Sequence, residues 1–96
     1  MIQKSYLKTK DLCKVKFSHK DEAAETVEVF GLNDDWESPL AMSKKKDGTF
    51  TCDIALPKNS RHEFKYRVNR NEWLNEPEAD SEAGNIFGGS NSVIEL

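Results

Sequence analysis

Apolar and polar residues alternate along four separate stretches of this chain, and a period of two demands strands with one dry and one wet face. Between Leu12 and His19, Cys13, Val15 and Phe17 fall on one face and Lys14, Lys16 and Ser18 on the other. Between Glu25 and Gly31, Val27 and Val29 oppose Thr26 and Glu28. Phe50, Cys52, Ile54 and Leu56 alternate with Thr51, Asp53 and Ala55, and Phe64, Tyr66 and Val68 alternate with Glu63, Lys65 and Arg67. Ser92–Leu96 forms a further short strand, Pro39–Lys45 a weak edge strand and Glu72–Asn75 a short one. Turn residues separate these runs, including Asp47-Gly48 and Pro57-Lys58-Asn59-Ser60. Only Glu22–Glu25 hints at a helical turn. About seven antiparallel strands in one chain of this size predict an all-β, immunoglobulin-like β-sandwich. Its expected core is Val15, Phe17, Val27, Val29, Phe50, Ile54, Leu56, Phe64, Tyr66 and Val68. The polar stretch from Glu76 to Ser90 reads as a long loop beside Trp73, and long loops in small domains are often functional.

Composition narrows the function classes. With 36% hydrophobic and 32% charged residues, the chain has the makeup of one folded domain, 1–96, with residues 1–11 as an N-terminal extension. A net charge of -3 offers no electrostatic footprint for nucleic acid. The run Lys44-Lys45-Lys46 leads into a turn and reads as a solvated strand end. No apolar stretch has the length of a membrane span, and the first residues lack the apolar centre of a signal peptide. The expectation is a cytoplasmic chain without a membrane role. Cys13 and Cys52 occupy apolar positions and are expected to be buried and reduced. With only His19 and His62 to join them, no zinc site is implied, and no spacing suits calcium. The acids Asp34, Asp35, Glu76, Glu78 and Asp80 sit in wet turns, not as two carboxyls fixed across a cleft, so no catalytic residues are assigned. No cofactor is implied. His62, at a strand start, is expected to pack or cap.

Two tryptophans break the pattern of burial. Trp36 lies in Asn33-Asp34-Asp35-Trp36-Glu37-Ser38, and Trp73 in Asn71-Glu72-Trp73-Leu74-Asn75-Glu76. Buried tryptophans come with apolar neighbours, and these do not. Rigid aromatic faces at a polar surface suit a ligand with flat apolar patches and many hydroxyls, which describes a sugar polymer. Trp36 could instead plug one end of the sandwich.

The run Val27-Glu28-Val29-Phe30-Gly31, followed by Trp36, resembles the "FGxFNxW" opening of early-set domains in glycogen and starch enzymes. Pro39-Leu40-Ala41-Met42, Phe50 to Pro57, and His62 to Val68 with Trp73 resemble the family's later motifs in order. Asn91-Ser92-Val93-Ile94-Glu95-Leu96 is similar to its closing strand. The set covers residues from about 12 to 96 and resembles carbohydrate-binding module family 48, which includes isoamylase early-set domains and the glycogen-binding domain of the AMP-activated protein kinase β subunit. The start Lys4-Ser5-Tyr6-Leu7-Lys8 and the stretches Glu78-Ala79-Asp80 and Asn85 to Val93 are most similar to stand-alone bacterial early-set proteins. The resemblance implies a non-catalytic glucan-binding domain, not an enzyme. It implies carbohydrate contacts at Trp36, Lys65, Trp73, Phe87 and Asn91. Lys65, on the wet face of its strand, is expected to be free for hydroxyls. Asn33 stands where the family has Phe, and Gly89 where the kinase domain has a gripping Thr.

Two functions fit these residues. One is an α-glucan-binding module for glycogen or starch, acting alone or in trans with a separate glycogen-metabolising enzyme. The other is a protein–protein interaction domain that keeps the fold without the sugar. They differ over whether Trp36 and Trp73 share one exposed face with Lys65 and Asn91.

Overall fold

The alternating runs become strands of two antiparallel sheets in the computed structural model, which describes all residues, 1–96. In chain order they are β1 (Ile2–Tyr6), β2 (Leu12–Lys20), β3 (Val27–Phe30), β4 (Leu40–Ala41), β5 (Ser43–Lys44), β6 (Thr49–Pro57), β7 (Arg61–Val68), β8 (Glu72–Leu74), β9 (Ser81–Gly84) and β10 (Ser90–Glu95). One sheet runs β1-β2-β6-β5, the other β4-β3-β7-β10-β9, and β8 pairs with the far half of β7. The one helical element is a 3-10 turn at Leu32–Asp34. No helix is long and apolar enough to cross a membrane.

The inward faces meet in one core. Cys13, Val15 and Phe17 of β2, with Phe50 and Leu56 of β6, face Val27 and Val29 of β3, Phe64, Tyr66 and Val68 of β7, and Ile94 of β10. The rings of Phe17 and Phe64 meet edge-on across the two sheets at 5.1 Å between centroids. This geometry adds to the burial of both rings. Ile54, expected inside, is only half-buried and packs at the margin of the cluster. Ser18, expected on the wet face, is buried, and its backbone bonds to that of Met1, just ahead of β1.

Two strands lie where none was expected. Residues 1–11, read as an extension, hold β1, which pairs along β2 from Ile2 opposite Phe17 to Tyr6 opposite Cys13. Its side chains are exposed but for a half-buried Ile2, so it carries no alternation to detect. β9 interrupts the presumed loop with Ser-Glu-Ala-Gly, a run without β-branched or aromatic residues. The edge strand foreseen at Pro39–Lys45 is two strands: β4 joins β3, Met42 turns into the core, and β5 joins β6. The helical hint at Glu22 is a turn, whose Ala23 and Ala24 amides donate to the Asp21 carboxylate.

Polar ties close the sandwich. Lys4 Nζ donates to both Asp80 oxygens, at 2.8 and 3.0 Å, and to the Glu95 carbonyl at 3.0 Å. The first strand of one sheet is thus fastened to the last strand of the other. Glu76 is buried yet fully engaged. It accepts from the Tyr66 hydroxyl at 2.8 Å, from the Glu78 amide at 2.8 Å and from the Met1 amino group. Burial alone would push its carboxyl up, but these donors, led by the amino group, hold it below the ordinary range. The same burial, together with the carboxylate it bonds, pushes the Tyr66 phenol up.

Cys13 is buried, but Cys52, expected to be buried too, is only half-buried near the open side of its sheet. Both thiols are free. Cys13 pairs with Leu56 and Cys52 with Phe17, so four steps of the ladder, about 13 Å, separate them. That exceeds the reach of a disulfide. Burial, reinforced by Asp53, raises the Cys52 thiol to about 12. Native protein at about pH 8 is therefore expected to react with iodoacetamide far more slowly than the urea-unfolded chain, whose thiols titrate near the usual 8.5. Equal rates, measured by mass spectrometry, would contradict the burial of Cys13 and the raised thiol of Cys52. Phe17→Ala is expected to cost roughly 3–5 kcal/mol, most of the stability of a domain this small, in urea titrations.

Candidate functional site

Inward residues of β7 fill the core, so its outward residues Glu63, Lys65 and Arg67 must form a surface. β3 lies along one edge, placing Phe30 opposite Lys65 and Glu28 opposite Arg67. β8 returns along the other edge after a tight turn at Asn69 and Arg70, which both adopt positive φ, and sets Trp73 opposite Arg67. β10 follows on that same edge, with Ser92 opposite Phe64, so Asn91 lies at the outward position beside Lys65. An open groove of about 1060 Å³ runs over this face. It is lined by Trp36, Glu63, Lys65, Trp73, Gly84, Asn85, Ile86, Phe87, Gly89 and Asn91. All five residues singled out from the sequence lie there together.

Each aromatic ring is set by a local device. Gly31 has φ +101°, and a Cβ there would fall 2.6 Å from Trp36 Cζ2 and 2.8 Å from Cε2. The indole therefore lies on bare backbone, a seat that only glycine leaves open in this conformation. Asp35 steadies the segment by accepting from the Glu37 and Ser38 amides. Trp36 remains 39% exposed, so it walls the groove and does not plug the sandwich. Trp73 is 45% exposed, and its ring meets Phe30 edge-on at 5.0 Å. Phe30 is buried on the outer face, beneath Trp73, and takes no part in the central core.

The opposite wall is a finger between β9 and β10. Asn85 Oδ1 accepts from the Phe87 and Gly89 amides, and Gly88 takes φ +84°, which bends the tip tightly. Ile86 and Phe87 at the tip are 93% and 89% exposed.

The floor is already hydrogen-bonded. Lys65 Nζ donates to the Ser90 carbonyl at 2.7 Å, which corrects the expectation of a free lysine. One of its three donors is engaged and two remain. Asn91 receives the Asn85 amide at 3.2 Å and donates to Glu63 at 3.2 Å, so its side chain ties finger to floor. Sequence reasoning missed Glu63, Asn85 and Ile86. Glu63 shares the outward period of Lys65, and Asn85 begins an Asn-x-x-Gly-Gly turn, so both carried a signal.

His62 lies beneath the turn that leads to Trp36. Its Nδ1 accepts the Asn33 amide at 3.2 Å and its Nε2 meets Ser60 Oγ at 2.9 Å, partners that assign the neutral ring with its proton on Nε2. It packs and caps at once. Burial holds its pKa below the ordinary value, with Asp34 pulling weakly the other way.

A β-sandwich carrying an aromatic-walled groove on one sheet has the build of a carbohydrate-binding module. Residues 13–96 match the family described as the glycogen recognition site of AMP-activated protein kinase, and the chain belongs to that family. No curated protein sequence matches it. Among solved structures, the enterobactin esterase from Shigella flexneri superposes with a TM-score of 0.77 at 13% identity, over 99% of this chain and 32% of that one. The ferric enterobactin esterase from Salmonella typhimurium gives 0.76 at 12% identity, over 99% and 34%. The chain thus spans about a third of those structures, and the likeness is one of fold.

Because His62 binds a proton less readily folded than unfolded, its contribution to stability is complete at neutral pH. It is lost as pH falls through the unfolded value of about 6.5 toward the lower folded one. Protonation also removes the acceptor of the Asn33 amide. Thermal melts are expected to show a lower Tm at about pH 5.5 than at about pH 7.5, and His62→Gln should flatten that difference. An unchanged slope in the variant would assign the effect elsewhere.

Proposed function

We propose that the chain is a non-catalytic α-glucan-binding module, for glycogen or starch, with Trp36, Lys65, Trp73, Phe87 and Asn91 as its contact residues. One observation carries the reading: two half-exposed indoles share a single groove with Lys65, Asn91 and the Phe87 finger. The indoles can stack on the C–H faces of glucose units, and their rigidity limits the entropy lost on binding. Lys65 keeps two donors for hydroxyls. Asn91, with its amide partly committed, retains one N–H and one lone pair. Glu63 is the single carboxylate among the lining residues, and glycoside hydrolysis ordinarily needs a pair. Any turnover of the bound glucan then falls to a separate glycogen-metabolising enzyme in trans, with this chain beside it in the cytoplasm.

The exposed Ile86 and Phe87 favour a second reading, a docking surface for a protein partner. Titration with maltoheptaose separates the two. Trp73→Ala is expected to weaken binding roughly tenfold to a hundredfold, since a stacked ring is worth about 1–3 kcal/mol. Its fold should survive, because the indole lies outside the core. Lys65→Ala should cost about fivefold, the worth of one solvated hydrogen bond. A wild type that fails to bind at roughly millimolar sugar would hand the groove to the protein partner.

A further inference from the structure

We propose that Arg67 is a positioning residue for glucan recognition, holding the Trp73 indole in place from beside the groove. The inference rests on the glucan reading above and concerns how that site is kept in shape. Trp73 needs such support. β8 is three residues long and pairs only with β7, so its backbone constrains the ring weakly. Yet the indole must stand still if it is to bind a sugar without a large ordering cost.

The support comes from across the strands. Glu28, Arg67 and Trp73 lie opposite one another on β3, β7 and β8. The Arg67 guanidinium carbon sits 4.5 Å from the Phe30 ring centre and 5.5 Å from that of Trp73. Phe30 itself meets Trp73 edge-on. Arg67 Nε and Nη2 both reach Glu28 Oε1, at 3.3 and 3.2 Å, which fixes the guanidinium plane. The Arg67 and Glu28 side chains are 28% and 16% exposed, so water weakens these attractions less than on an open surface. Arg67 does not line the groove. Its influence on a ligand therefore passes through the Trp73 ring, which it holds together with the buried Phe30.

The test uses the full chain, and its quenching arm carries Trp36→Phe so that Trp73 is the sole indole emitter. Acrylamide quenching in that background reports the freedom of the ring without any sugar, and maltoheptaose titration of the chain with Trp36 intact reports binding. Arg67→Met keeps the length and packing of the side chain but removes the cation and its fork. It is expected to raise quenching about twofold and weaken binding about threefold to tenfold, with far-UV circular dichroism unchanged. Arg67→Lys should fall between, because it keeps charge but loses the planar fork. Glu28→Gln should shift quenching in the same direction from another strand. In a Trp73→Ala background, Arg67→Met should leave affinity where it was. The proposal is overturned if Arg67→Met changes neither quenching nor affinity, or if it weakens binding equally without Trp73, which would make it a direct contact. A wild-type chain that ignores maltoheptaose sinks the glucan reading instead. Quenching then decides the Arg67 claim alone, upheld by the rise and overturned by its absence.

Discussion

Everything in this molecule is arranged around one strand that works on both faces. β7 sends Phe64, Tyr66 and Val68 into the core, Glu63 and Lys65 onto the groove, and Arg67 onto the same face beside it. It is paired along both edges, with β3 on one side and with β10 and then β8 on the other. A slip of one residue would exchange the two sets, burying three charges and exposing three large apolar side chains. The hydrophobic demand of the core therefore fixes the register, and the register in turn fixes which side chains meet a ligand. The groove's geometry is inherited from the packing beneath it.

The parts of the fold that obey a simple period were legible in the chain. β2, β3, β6 and β7 each bury one face, and each shows it as alternation. β1 and β9 are edge strands held mostly by backbone pairing, and backbone pairing leaves no mark in side-chain order. Ile54 and Cys52 lie in a proper alternating run but toward the rim of the sheet, where the apolar face runs out of neighbours. Periodicity reports which face a residue takes, not how deep the cover is at that point.

The site was legible in its members and illegible in its wiring. Trp36 and Trp73 stood out because polar neighbours cannot bury an indole. That Gly31 is the seat of Trp36, or that Phe30 leaves the core to lie under Trp73, follows only from strands brought together in space. Lys65 looked free because the strand pattern shows its face and not the Ser90 carbonyl above it. Asn91 likewise looked like a simple hydroxyl partner, whereas it also braces the finger through Asn85. Polar groups at this surface are preorganised by one another, so removing any one disturbs more than its own contact.

The segment from Leu40 to Lys44 leaves one sheet, passes Met42 through the core and enters the other within five residues. Such a stitch removes a degree of freedom from the molecule. The sheets cannot slide past each other at that edge without pulling either β4 from β3 or β5 from β6. β3 is also the strand that carries Glu28 and Phe30 and leads into Gly31. Shear between the layers would therefore be felt at the groove, and the stitch keeps the mechanical noise of the sandwich away from its aromatic wall.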